Sequence, residues 1–306
     1  MDNSIALWWS NNNSKVNLDV NVFISKDNLK NYIEFGIKII NDIQSRDNFI
    51  CLYLPYKISE NDVQDKTPEL IENVNLTKVL FNEDITIETD TPNITIIKFK
   101  NRDATSAYLS QDKNFRYMSL NECFEIKDVK VKNKIVGSYI KIFINNNHTS
   151  DEYKALYYRF RIKRLAKIKK EIDENYFFID GLIRKTIFFD FNVNKQDKLP
   201  LFILNEFEKY NFDVNKVNVF LKTDMSTNII FQSKQHKNIK VLANIWREYI
   251  GVDDGDDDIL VYHWKEKDIF AKLNHIRKNI LFYIVILGII IIINLFSNFI
   301  FDWLKG

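Results

Sequence analysis

The segment 280–301, ILFYIVILGIIIIINLFSNFIF, constrains this chain more than any other, because it contains no Asp, Glu, Lys or Arg. As a helix rising about 1.5 Å per residue it is about 33 Å long, enough to cross a hydrocarbon layer of roughly 30 Å; a buried core helix needs no such length. The expectation is a single transmembrane helix over 280–301, with sensing or chemistry left to the residues before it. Lys272, His275, Arg277 and Lys278 precede the segment, whereas Asp302 and Lys305 follow it. That basic excess favours the cytoplasmic side for the preceding part. The start, MDNSIALWWSNNNSK, has neither the basic residues nor the longer apolar core of a secretory signal. The sequence therefore predicts a tail-anchored, single-pass protein of the cell inner membrane, with its N-terminal domain cytoplasmic and the lipid bilayer as a partner.

The remaining length suits one large domain or two small ones, and 46% hydrophobic residues suffice for a core. Lys+Arg 43 against Asp+Glu 41 leaves a net charge of +2, so attraction to nucleic acid must come from a local patch. Cys51 and Cys123 sit in strand-like apolar contexts and read as buried hydrophobes rather than a disulfide or metal site. Only 7 glycines are present, and the Gly-rich phosphate loops and the G-x-S-x-G nucleophile turn are missing. None of His148, His236, His263 and His275 has an i+4 or C-x-x-C partner, so no metal or cofactor is expected, nor an enzyme.

Alternation predicts strands at 5–9 and 16–24, then at 49–56, 94–99 and 135–144. Leu29, Tyr32, Ile33, Gly36, Ile37, Ile40 and Ile43 fall at three- and four-residue spacing and predict a helix after Ser25. A second helix runs from Pro68 toward Phe81. After a boundary at 145–147, the pattern predicts a hairpin of 176–179 with 186–193 and a helix over 201–210. Strands at 217–222 and 229–231, a helix marked by Val241, Leu242, Ile245, Trp246 and Tyr249, and a strand at 259–264 follow. Ile269, Phe270, Leu273, Ile276 and Ile280 keep helical spacing into the apolar segment. The expected fold is an α+β soluble sensor domain, mixed sheets with packed helices, followed by a single C-terminal transmembrane helix. Its divisions are an N-terminal half at 1–147, a second half with a basic segment at 148–264, a juxtamembrane connecting helix at 265–279 and the transmembrane helix at 280–301.

The most charged stretch is YYRFRIKRLAKIKK, 157–170. On a strand, Arg159, Arg161 and Lys163 share one face and Tyr158, Phe160 and Ile162 the other; Arg164, Lys167, Lys169 and Lys170 extend the charge. Cations on phosphates and rings on bases suit a nucleotide or short single-stranded oligonucleotide. A solvated charged face or contact with anionic lipid is the competing reading. The run around Gly255, Asp253 to Asp258, lacks EF-hand spacing and reads as a solvated acidic turn. Glu125 and Lys127, with Asp112, carry only the outline of a metal-dependent nuclease. In the apolar segment Asn294, Ser297 and Asn298, extended by Asp302, form a polar stripe suited to self-association as a homo-oligomer or to lining a pore, with hydration at the interface as the alternative.

A cytoplasmic α+β sensor, the basic segment 157–170 and a span near the end of the chain together resemble membrane effectors of bacterial antiviral (anti-phage) defence, and the layout is similar to the Hailong-system effector family. The resemblance implies a membrane channel held inactive by nucleotide oligomers, with a partner nucleotidyltransferase as their source; it carries over no residue roles. The resulting expectation is a membrane-anchored effector whose sensor domain binds a nucleotide signal and gates an oligomeric ion channel. A tail-anchored adaptor and a membrane-tethered nuclease are the alternatives.

Overall fold

The computed structural model describes residues 4–10, 15–25, 30–40, 48–81, 84–91, 94–99, 114–120, 123–144, 155–163, 165, 168–172, 184–210, 213–242, 244–250, 258–276 and 280–305. Among the described residues strands dominate, and they form three sheets. The expected α+β domain is corrected to a mostly β architecture. One four-stranded sheet orders β1 (Ala6–Trp9), β4 (Asn48–Leu54), β10 (Lys134–Ile144) and β9 (Phe124–Val131). A second joins β12 (Lys169–Ile172), β13 (Arg184–Asn192), β18 (Asp268–Ile276) and β15 (Thr227–Gln232).

The ten-stranded sheet runs from the edge strand β16 (Asn238–Val241) through β17 (Ile259–Trp264), β14 (Lys216–Asp224), β2 (Lys15–Ile24), β3 (Tyr32–Ile40) and β11 (Ala155–Ile162). It continues through β8 (Asn114–Tyr117) and β7 (Ile94–Phe99) to β6 (Ile85–Thr91), with β5 (Val63–Asp65) also paired to β11. β2 lies parallel to β14, so residues from both expected halves of the chain share one sheet. Short helices complete the fold: α1 (Thr67–Glu72), α2 (Val74–Phe81), α3 (Leu201–Tyr210) and α4 (Ile245–Ile250), with α5 (Ile280–Lys305) after β18.

Two expected helices are strands. In β3, Ile33, Phe35, Ile37 and Ile39 alternate with Tyr32, Glu34, Gly36 and Lys38; pairing with β2 and β11 buries the first set among apolar neighbours. β-branched residues, stiff at χ1 and suited to a pleated surface, favour that outcome over a helix. The connecting helix at 265–279 is likewise corrected, since β18 alternates buried Ile269, Ala271, Leu273 and His275 with more exposed neighbours. The segment after Pro68 is two short helices rather than one, and Val241 ends a strand.

The single transmembrane helix is corrected as well. α5 is helical over Ile280–Lys305. Among the described residues no helix is long and apolar enough to cross a membrane. The tail anchor, the ion channel and the inner-membrane location rested on that span and are withdrawn with it.

The main core lies between the sheets: Trp8, Leu52 and Ile142 from the first, Val20, Phe35, Phe160 and Val219 from the ten-stranded sheet, and Phe189 and Leu273 from the third. A smaller cluster on the opposite face of the ten-stranded sheet gathers Phe23, Leu70, Leu76, Phe115 and Tyr249 under α1, α2 and α4.

Candidate functional site

Period-two alternation gives the ten-stranded sheet one apolar face, and on the opposite face a polar strip beside the smaller apolar cluster. Cross-strand register sets Arg161, Glu34, Asn21, Phe220, His263 and Asn238 in one row across β11, β3, β2, β14, β17 and β16. Arg159, Gly36, Asp19 and Asn218 form the next row. Helices cover one end of this face, whereas at the other the edge strand β16 is exposed throughout.

At the covered end Glu34 and Arg159 are fully buried. Arg159 Nε donates to Glu34 Oε1 at 2.6 Å and to the Tyr249 hydroxyl at 3.0 Å, while its Nη1 donates to the Tyr157 hydroxyl at 2.8 Å. Arg161 Nε and Nη2 donate to Glu34 Oε2 at 3.2 and 3.1 Å, and Nη2 also donates to the Tyr249 carbonyl at 2.8 Å. Tyr249 Oη donates to Glu34 Oε1 at 2.9 Å, and the Arg161 guanidinium lies 3.9 Å from the Tyr32 ring centre. Burial raises the Glu34 carboxyl, but Arg159 and Arg161 outweigh it and hold the group at about 2.

Gly36 is required here. A Cβ at that position would lie 2.3 Å from the Tyr157 hydroxyl and 3.3 Å from Arg159 Nη1. Beside this cluster Lys222 is 2% exposed, its Nζ 5.1 Å from the Trp246 ring centre and without a hydrogen-bond partner among the described residues. Burial pushes the ammonium down to about 7, Glu34 opposes the shift and the two arginines add to it.

Toward the open end, the Phe220 and His263 rings stack with centroids 4.4 Å apart and planes 11° from parallel. His263 Nε2 is 3.4 Å from Asn218 Oδ1, and Asn218 Nδ2 donates to Asp19 Oδ1 at 2.6 Å, a relay that orients the imidazole. Burial, followed by the nearby Lys265, Lys237, Lys216 and Lys240, pushes the His263 pKa down to about 4. The ring is therefore neutral at pH 7. As a neutral ring whose Nε2 meets a carbonyl oxygen, it carries its proton on Nε2. Half-exposed stacked rings inside a group of ammonium charges are suited to an anionic ligand with a planar group.

The basic segment is placed differently from its sequence expectation. Tyr158 and Phe160 are in the main core, and Arg159 and Arg161 are buried around Glu34, so these four form no open cationic face. Lys163 and Lys170 are exposed; Lys169, on β12, is ion-paired with Glu171 at 2.5 Å. Arg164 and Lys167 lie outside the described residues. On α5, Asn294, Ser297 and Asn298 are exposed, and the Asp302 side chain lies outside the description.

The nuclease outline does not assemble among the described residues. Glu125 pairs with Lys127 at 2.8 Å and with Lys141 at 3.9 Å, Asp112 is not described, and no group of metal-ligating side chains is found. Of the acidic run only Asp258 is described, 3.5 Å from Arg247. Cys51 is buried and Cys123 partly so, and both thiols are free.

Glu34, Tyr249, Lys222, Phe220 and His263 were missed from sequence. Glu34 was hidden by the helical reading of its segment. The alternation Asn218, Phe220, Lys222 was visible, but the row that joins it to His263 and Glu34 is created by pairing across distant strands. No family model and no curated protein matches this chain.

Proposed function

We propose that this protein binds a nucleotide or short single-stranded oligonucleotide on the open polar face of its ten-stranded sheet, at Phe220 and His263 among Lys216, Lys237, Lys240 and Lys265. The stacked ring pair within four lysines carries the reading. Sheets that present aromatic rings to unpaired bases and cations to phosphates are a recurrent solution for single strands. A base extends the stack on the His263 side, over β16, where Asn238 is the register partner and Lys240 is exposed. The ligand class is the one expected from the basic segment; its place is a different set of strands.

Fluorescence anisotropy with labelled oligothymidylate tests this. Stacking contributes about 1–3 kcal/mol per base, so Phe220→Ala or His263→Ala weakens binding by roughly 5- to 150-fold. Lys237→Glu with Lys240→Glu weakens it further and flattens its salt dependence. Unchanged affinity in both ring variants would end this assignment.

A further inference from the structure

Resting on the nucleotide reading above, we infer that the covered end of the same face is a pocket for a terminal phosphate, in which Lys222, backed by Arg159 and Arg161, receives the phosphate monoester end of the ligand. Among the described residues, Arg159 and Arg161 share the carboxylate of Glu34 there, Lys222 lies in the field of the same carboxylate, and the buried Asp19 carboxyl in the Arg159 row accepts from Asn218. The nearby Lys66 is already matched by Glu69, so it does not alter the balance. A phosphate monoester, carrying about −1.5 to −2 charge at pH 7, supplies the anionic acceptor that Lys222 lacks among the described residues. Lys222 Nζ has three donors and no described acceptor, which is what an incoming phosphate oxygen requires.

Position supports the link to the ring pair. Phe220 and Lys222 are two residues apart on β14 and point to the same face, about 7 Å from each other. Trp246 covers Lys222 and is only partly buried, so the ring is displaced on entry. An internal phosphodiester has chain on both sides and does not fit beneath such a cover. A chain end does, and burial that holds the Lys222 ammonium near neutrality is relieved when an anion arrives.

The experiment compares oligothymidylates bearing a 5′-phosphate, a 3′-phosphate or neither, on the full chain. The expected result is a preference of at least tenfold for one phosphorylated form, lost in Lys222→Met and partly kept in Lys222→Arg, while the unphosphorylated oligomer binds all three proteins within about twofold. On the wild type, inorganic phosphate at millimolar concentration abolishes the preference without releasing the oligomer, a readout that needs no variant. Equal binding of all three oligomers, or a preference that survives in a folded Lys222→Met, overturns the pocket and leaves the ring platform standing. A wild type that binds none of the three overturns the platform and the pocket with it.

Discussion

Among the described residues Glu34 is the only carboxylate accepting from both Arg159 and Arg161, and it holds the two guanidinium groups in place. Replacing it by Gln leaves those cations uncompensated, so Glu34→Gln is expected to cost about 3–5 kcal/mol in urea denaturation. The folded-state pKa of Glu34, about 2, lies below its ordinary 4.5. Its contribution is therefore complete above pH 4.5 and is lost as pH falls toward 2. Denaturation midpoints across that window should fall steeply for the wild type and less for the Gln variant. Gly36→Ala forces a methyl group against the Tyr157 hydroxyl and should cost about 1–3 kcal/mol. In a Tyr157→Phe background, where the hydroxyl is gone, the same change should cost clearly less; equal costs in a double-mutant cycle would refute this reading of the contact.

Among elements, β14 joins the two ends of the polar face, with Phe220 in the stack and Lys222 under Trp246. The depressed His263 pKa has a sign that can be checked. Unfolded chains bind the proton near pH 6.5 and the folded protein near 4, so stability declines as pH drops through that interval. An anionic ligand on the platform offsets the field of the surrounding lysines, and NMR titration should find the His263 pKa raised when oligothymidylate is bound; an unmoved pKa would place the ligand elsewhere. β2 and β14 were legible from strict alternation. β3 and β18 were not, because isoleucines spaced three or four apart also fit a helix, and only the strands beside them decided between the two periods.

For the molecule as a whole, the main core is closed by three sheets, and no described side chain of α5 is buried; Leu287, Leu295 and Phe296 are 62%, 64% and 66% exposed. Removal of residues 280–306 is accordingly expected to leave the unfolding free energy of the remainder, from urea denaturation, within about 0.5 kcal/mol while improving solubility, since exposed apolar patches promote association. A large loss of stability would show that the helix packs on the sheets. Oligonucleotide affinity should fall with salt at a logarithmic slope of about −2 to −3 if all four platform lysines meet phosphates of a single strand.

By itself the sequence determined most of the strands, because side-chain alternation is a local property of a pleated chain. It also determined that Arg159 and Arg161 share a face and that the chain carries a charge-free apolar C-terminal segment. Tertiary structure alone decided that those arginines are enclosed around Glu34, that β2 lies parallel to β14, and that Phe220 meets His263. Each of these depends on pairing between residues far apart in the chain, and no local pattern encodes which distant strand becomes the neighbour.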